Sequence, residues 1–173
     1  MSAEPEKKTG SAGEKEPVQK DNPGVIALPP FIFIAFLGVG VILHNLFPMH
    51  FIHGPLRNIV GVIFLAYSVL VAGLAILQMR KAGTNIDVRK PATTIVSDGI
   101  YRFTRNPMYL SMALLMIAIS ILISNIWILI LTPVFIIVIQ KGVIEREEHY
   151  LEGKFGVEYT TYKQRTRRWI WPV

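Results

Sequence analysis

Apolar residues are grouped along the chain into four long runs, at about 25–47, 58–79, 107–124 and 126–143. A helix needs about 20 apolar residues to cross about 30 Å of hydrocarbon. The helices of a soluble bundle would carry polar faces, and these four runs lack them. The pattern therefore predicts an all-α integral membrane protein with four transmembrane helices.

Prolines and one polar residue indicate where these helices begin, turn and bend. Pro29 and Pro30 stand in the entry turn of the first run, where a missing N–H is tolerated. Only Asn125 separates the third run from the fourth, so helices 3 and 4 are expected to form a tight helical hairpin. Pro133 lies inside the fourth run and predicts a kink, because it removes one hydrogen bond and its ring clashes with the preceding turn.

Composition agrees with membrane insertion and restricts the available chemistry. Of the 173 residues, 51% are hydrophobic and 17% are charged, and the mean hydropathy is +0.42. The chain has no cysteine, which excludes disulfides, thiolate zinc sites and cysteine nucleophiles. Residues 1–24 are rich in Glu, Lys, Pro, Gly and Ser, and we expect a disordered polar tail there. Residues 25–173 are expected to form a single transmembrane domain.

The net charge of +6 is distributed unevenly and predicts an orientation in the membrane. Lys and Arg number four before the first run, six between the second and third, and seven after Ile139, but only one between the first and second. The positive-inside rule therefore places both termini in the cytoplasm. Because membrane orientation accounts for the basic residues, no nucleic-acid partner is expected.

His50 and His53 lie in the loop predicted on the opposite side of the membrane. Their spacing of three residues suits a metal site on a helix face. Two histidines in a short loop without a carboxylate are more simply explained as polar loop residues. No metal site is predicted.

Polar residues are concentrated in two blocks, 91–109 and 145–171, which adjoin the two helices of the hairpin. Asn106 followed by Pro107 is typical of a helix start, with a capping side chain and then a residue already held at helical φ. Arg102 and Arg105 precede this helix end, whose partial positive charge favours a carboxylate or phosphate. The alternative is that these arginines bind lipid headgroups.

Three carboxylates, Glu145, Glu147 and Glu148, lie where the fourth helix leaves the bilayer. This helix is predicted to run to about Phe155, with Gly156 as its left-handed cap. The carboxylates form either a solvated helix face or a site for a cation held against the first block. The aromatic residues that follow are typical of an interfacial belt; they are Tyr159, Tyr162, Trp169 and Trp171.

These residues together resemble a known enzyme family. The sequence Gly-Ile-Tyr-Arg-Phe-Thr-Arg-Asn-Pro-Met-Tyr at 99–109 is followed by the hairpin and then by Glu147, Glu148, Leu151, Phe155, Gly156, Tyr159, Tyr162 and Arg165. In this order and spacing they resemble the isoprenylcysteine carboxyl methyltransferase and phospholipid methyltransferase family, over about residues 85–172. The resemblance implies an integral membrane enzyme that uses S-adenosylmethionine without a Rossmann domain, its cofactor held by the cytoplasmic C-terminal helical segment.

The resemblance also implies which residues bind this cofactor. The segment that wraps the adenosine, largely through backbone groups, corresponds to Thr93, Thr94, Ile95, Val96 and Tyr101. The family's Arg-His-Pro-x-Tyr signature, after its Arg, corresponds to Asn106, Pro107, Met108 and Tyr109. Glu147 corresponds to the carboxylate that holds the methionine end. A basic helix end, a carboxylate and an aromatic ring are complementary to the carboxylate, ammonium and sulfonium of S-adenosylmethionine.

Catalysis by such an enzyme requires no nucleophilic residue, because methyl transfer is an in-line displacement promoted by positioning and dehydration. Asn106 stands where the family most often has His, which argues against a general base at this position. If the acceptor is an amine, Glu148 or Glu145 is available to take its proton. The catalytic residue is therefore left open.

Val143 distinguishes between classes of acceptor. The resemblance places an Arg, suited to a substrate carboxylate, at this position in the prenylcysteine enzymes. This chain has Val143 instead, which leaves only Lys141 or Arg146 to take over that role. A buried carboxylate without a partner is costly. We therefore expect a lipid or other hydrophobic acceptor that reaches the site from the bilayer.

Three alternatives remain open at this stage. The first is a prenylcysteine-type carboxyl methyltransferase. The second is an NADPH-dependent membrane reductase of the sterol type, which has a similar C-terminal architecture but against which the Glu pair argues. The third is a membrane interaction protein without a cofactor, in which the two polar blocks would not converge on a cavity.

Overall fold

The computed structural model describes residues 23–87 and 89–170, which contain helices and no strand. The tail predicted at 1–24 lies outside the described residues except for its last two. The α-helices are α1 (Pro29–Leu46), α2 (Pro55–Lys81), α3 (Pro107–Leu122), α4 (Ile126–Ile139), α5 (Glu145–Phe155) and α6 (Val157–Arg165). A 3-10 turn occupies Gly99–Arg102, and a π-turn at Gln140–Ile144 joins α4 to α5. The all-α prediction is confirmed.

Among the described residues, three helices are long and apolar enough to cross a membrane: α1, α2 and the continuous helix Ile126–Phe155. The apolar helix α3 has 16 residues. At a rise of 1.5 Å per residue it is about 24 Å long, less than the thickness of the hydrocarbon. The helices agree with an integral membrane protein, while the count of four spans and the cytoplasmic position of the termini remain predictions.

The predicted hairpin between α3 and α4 is present and is held by polar side chains at its tip. The Asn125 side chain accepts hydrogen bonds from the backbone N–H groups of Trp127 and Ile128, at 3.0 and 3.3 Å, and so caps α4. The neighbouring Ser124 hydroxyl donates to the carbonyl of Ile52, in the loop between α1 and α2, at 2.7 Å. This loop is thereby fastened to the tip of the hairpin.

Helix α2 packs along α3, and α1 packs along α4. Glycines allow the close approach in both pairs. A Cβ atom at Gly61 would lie 2.6 Å from the Leu122 side chain, and one at Gly40 would lie 2.5 Å from the Ile128 side chain. The core between the helices is apolar, and Phe135 lies fully buried within it.

The departure from α-helical geometry occurs at Gln140–Ile144, which the apolar pattern did not predict. Helix α4 continues through Pro133 without a break, and the kink predicted there stays a prediction. The backbone carbonyl of Gly142 in the π-turn accepts a hydrogen bond from the N–H of Ile26 at 3.3 Å. The Gln140 side chain accepts another from the indole of Trp169 at 2.9 Å. The π-turn therefore contacts both the segment before α1 and the segment after α6.

Candidate functional site

A cavity of about 370 Å³ lies where the two polar blocks meet. Its wall includes the start of α1, the end of α2, the loop after α2, the start of α3, and residues of α5 and α6. The hairpin thus brings the blocks together as predicted. This convergence is the opposite of what the interaction-protein alternative requires.

Nine of the ten residues predicted to bind the cofactor line this cavity: Thr94, Ile95, Val96, Tyr101, Asn106, Pro107, Met108, Tyr109 and Glu147. Thr93 does not line it. Its N–H donates to the Thr84 hydroxyl at 3.3 Å, and its own hydroxyl donates to the Gly83 carbonyl at 3.0 Å. Thr93 therefore closes the base of the loop after α2 rather than facing a ligand.

The Glu147 carboxylate lies in the cavity. Its Oε1 atom accepts a hydrogen bond from the hydroxyl of Tyr109, which is buried, at 2.8 Å. In the described part of the chain no cationic side chain forms an ion pair with Glu147. A carboxylate held in this way is a strong acceptor for an ammonium group.

Glu148, the next residue, has two basic partners. It is 4% exposed, and its oxygens lie 2.9 Å from Arg105 Nη2 and 2.7 Å from Arg168 Nη2. The hydrogen bond with Glu148 raises the pKa of the Arg168 guanidinium. This buried cluster joins the start of α3, α5 and the segment after α6.

Neither carboxylate proposed as a proton acceptor is placed for that role. Both oxygens of Glu148 are engaged by arginines. Glu145 does not line the cavity, and its partly exposed carboxylate lies 2.9 Å from the Lys141 ammonium and 3.5 Å from Arg168 Nη1. The solvated-face interpretation holds for Glu145, whereas Glu147 and Glu148 line the cavity.

The capping role predicted for the Asn106 side chain is wrong. Helix α3 begins at Pro107 as expected, but the Asn106 side chain makes no capping bond. Its Nδ2 donates to the Arg168 carbonyl at 3.1 Å, and the Thr104 hydroxyl donates to the same carbonyl at 3.0 Å. These bonds connect the start of α3 with the segment after α6. The two segments are distant in the chain, so the local sequence around Asn106 does not predict the bonds.

The interfacial-belt interpretation is wrong for three of the four aromatic residues, and the fourth, Trp171, lies outside the described residues. Tyr159 and Trp169 are buried, and Tyr159 and Tyr162 line the cavity. The Tyr162 hydroxyl donates to the carbonyl of Tyr101 at 2.8 Å. A spacing of three residues puts Tyr159 and Tyr162 on one face of α6, and this spacing could have predicted that both line the same surface.

Burial raises the pKa of Tyr101, Tyr159 and Tyr162, because it disfavours the charged phenolate. The three phenols therefore stay neutral near pH 7. Their ring faces attract a cationic group without adding negative charge to the cavity.

The position compared with the prenylcysteine enzymes does not face the cavity. Val143 is fully buried in the hydrophobic core. Neither Lys141 nor Arg146 lines the cavity; Arg146 Nη1 instead donates to the carbonyl of Gly24 at 2.8 Å. The identity of residue 143 therefore does not discriminate between acceptors, and the argument drawn from it is wrong.

Apolar residues on one side of the cavity were not predicted as site residues. They lie just before and within the first turn of α1 and on α3; they are Pro23, Leu28, Pro29, Pro30 and Met112. Because these apolar residues come from separate parts of the chain, their sequence positions do not predict that they line one cavity.

The loop after α2 adds three charged residues to the cavity lining, Asp87, Arg89 and Lys90. Its ion pair, with 2.7 Å between Arg89 Nη2 and Asp87 Oδ2, lowers the pKa of Asp87 to about 2.

The histidines at the other end of the bundle form a ring cluster. The ring centre of His50 lies 4.9 Å from that of His44 and 6.0 Å from that of His53. Within residues 23–87 and 89–170, no group of three or more His, Cys, Asp or Glu is arranged to hold a metal ion.

Comparison with known proteins assigns the chain to a family. Residues 56–158, which run from α2 into α6, match the phospholipid methyltransferase family. An uncharacterized protein of Haemophilus influenzae is 46% identical over 63 residues, which are 36% of this chain and all of that protein. No solved structure matches the chain. Since the match covers more than half of the chain, the protein belongs to the phospholipid methyltransferase family.

Proposed function

We propose that this protein is a membrane-embedded methyltransferase that moves a methyl group from S-adenosylmethionine to a lipid or another hydrophobic acceptor. Membership in the phospholipid methyltransferase family supports methyl transfer as the reaction. The observation that carries the choice of donor is the cavity where both polar blocks meet. Inside it the Glu147 carboxylate accepts a hydrogen bond from Tyr109 and has no ion-pair partner among the described residues.

The residues around the cavity fit such a donor. Glu147 is placed to hold its ammonium group, and the start of α3 at Pro107 suits its carboxylate. The backbone at 94–96 and the ring of Tyr101 line the part of the wall assigned to the adenosine. When bound, S-adenosylmethionine supplies an electrophilic methyl group on its sulfonium.

An acceptor with an apolar part fits the remaining side of the cavity. Leu28, Pro29, Pro30 and Met112 line it without adding charge. The apolar residues of this side come from the start of α1 and from α3, two of the apolar helices. An acceptor dissolved in the bilayer is expected to reach the cavity from this side. The protein contributes orientation and exclusion of water, which lower the barrier of an in-line displacement.

The test is calorimetric titration of the purified protein with S-adenosylhomocysteine and, separately, with NADPH. We expect S-adenosylhomocysteine to bind and NADPH not to bind; the reverse result would indicate a reductase.

Transfer from labelled S-adenosylmethionine is then measured with a membrane lipid extract and with a farnesylated cysteine analogue. Label in the lipid fraction is the expected result. Base-labile label confined to the analogue would identify a carboxyl methyltransferase instead.

A further inference from the structure

The segment at 23–28, before α1, forms one side of the cavity together with the first turn of α1. Pro23, Leu28, Pro29 and Pro30 from this part of the chain line the cavity. None of them carries a charged or hydrogen-bonding side chain. The segment and this first turn are referred to below as the entry wall, 23–30.

Two contacts hold the entry wall against the helix that carries Glu147. The N–H of Ile26 donates to the carbonyl of Gly142 at 3.3 Å, and Arg146 Nη1 donates to the carbonyl of Gly24 at 2.8 Å. The Ile26 side chain fills the space next to Gly142. A Cβ atom at residue 142 would lie 2.3 Å from Ile26 Cδ1 and 2.8 Å from its Cγ1.

Gly142 lies in the π-turn, a type of helix irregularity that is frequent at functional sites. At residue 142 any side chain would require the Ile26 side chain to move. Gly38 on α1 provides the contrast, because nothing lies within 4 Å of a Cβ atom built there. The absence of a side chain at Gly142 therefore has a specific effect, which is to seat the entry wall.

We propose that the entry wall is the acceptor side of the cavity and that Ile26 and Gly142 are the positioning residues that seat it. This inference rests on the proposed function. The donor is polar and charged along most of its length, and the groups complementary to it lie on α3, α5 and the segment 94–101. The entry wall offers only apolar surface, which favours hydrocarbon and disfavours the donor.

Two variants test whether the contact between Ile26 and Gly142 positions the entry wall. Gly142→Leu places a side chain where Ile26 lies, and Ile26→Gly removes the side chain without altering the helix. Gly38→Leu is the matched control for adding a leucine to an apolar helix. For each protein the measurements are the half-saturating concentration of a membrane lipid extract, kcat, and the Kd for S-adenosylhomocysteine.

We expect both variants to raise the half-saturating concentration of lipid extract by about fivefold or more, as for a partly lost apolar contact. The Kd for S-adenosylhomocysteine should stay within about twofold of wild type, and Gly38→Leu should match wild type in both respects. If Gly142→Leu fails to fold, Ile26→Gly decides alone, because Ile26 lies outside the helices and is half exposed.

The inference is overturned if the half-saturating concentration of lipid extract is unchanged in both variants. It is also overturned if the Kd for S-adenosylhomocysteine rises by the same factor as that concentration. These outcomes leave the proposed function intact. A wild-type protein that neither binds S-adenosylhomocysteine nor transfers label rejects the proposed function, and this inference with it.

Discussion

Glu147 and Glu148 are adjacent in the chain, yet of these two only Glu148 has arginine partners among the described residues. Arg105 and Arg168 neutralise Glu148 in a buried cluster, while Glu147 receives one hydrogen bond from Tyr109. Burying an uncompensated charge is costly, whereas a charge that faces a ligand cavity is compensated when a counter-charge binds. The first glutamate is therefore suited to binding and the second to holding the site together.

Replacing Glu147 should impair cofactor binding. We expect Glu147→Ala to weaken S-adenosylhomocysteine by about tenfold to a hundredfold, the roughly 1.5–3 kcal/mol of a hydrogen bond to a charged group. Calorimetric titration measures this, with His53→Ala, at the other end of the bundle, as the control. Equal affinities in the two variants would reject the assignment of Glu147.

Replacing Glu148 should impair stability instead. Glu148→Ala leaves Arg105 without its carboxylate in a buried position, and breaking a buried ion pair costs about 3–5 kcal/mol. Glu145→Ala, which removes a partly exposed pair with Lys141 and a longer contact of 3.5 Å with Arg168, should cost about 1 kcal/mol or less. Thermal unfolding in detergent compares the two. Similar losses in both variants would show that the buried cluster is not a stabilising element.

At the scale of elements, local signals in the sequence predicted most helix limits. Pro107 marks the start of α3 and Asn125 caps α4 because each acts on its own helix end. The π-turn at Gln140–Ile144 was not predicted, because it is accompanied by contacts with Ile26 and Trp169, which are distant in the chain.

The same reasoning explains which site residues the sequence could predict. Residues of the family signature are contiguous, so Asn106 to Tyr109 were found together. The burial of Tyr159 and the outward position of Thr93 depend on how α6 and the loop after α2 fold back on the cavity. The Asn106 side chain makes no capping bond and instead donates through Nδ2 to the Arg168 carbonyl, which the segment after α6 brings near. The spacing of residues in the sequence does not predict such tertiary contacts.

Packing of α2 against α3 depends on a glycine. A Cβ atom at Gly61 would lie 2.6 Å from Leu122 Cδ2 and Cγ and 3.3 Å from its backbone nitrogen. We expect Gly61→Ala to lower the free energy of unfolding by about 1–3 kcal/mol, as for an overpacked core. Gly73→Ala is the control on the same helix, since nothing lies within 4 Å of its Cβ position. Because alanine favours helix, this control should be neutral or stabilising by up to about 1 kcal/mol. Equal effects in thermal unfolding would contradict the close approach.

For the molecule as a whole, the proposed function requires the cavity to face the compartment that holds the methyl donor. Six Lys and Arg lie between the second and third apolar runs and seven after Ile139, and the segments that carry them include the cavity wall. The loop with His50 and His53 lies at the opposite end of the bundle, next to the hairpin tip. From the positive-inside rule we expect the cavity to face the cytoplasm.

This orientation gives the last prediction, for which the absence of native cysteine is an advantage. Single cysteines introduced at Ser11 and Gly153 should be protected from a membrane-impermeant thiol reagent in intact cells, because both positions would face the cytoplasm. A cysteine at His50, which is exposed in the loop between α1 and α2, should be labelled. Lysed cells, in which all three should react, control for accessibility. Labelling of Gly153→Cys with protection of His50→Cys would invert the orientation. Labelling at Ser11 and His50 with protection at Gly153 would mean that α1 does not cross the membrane.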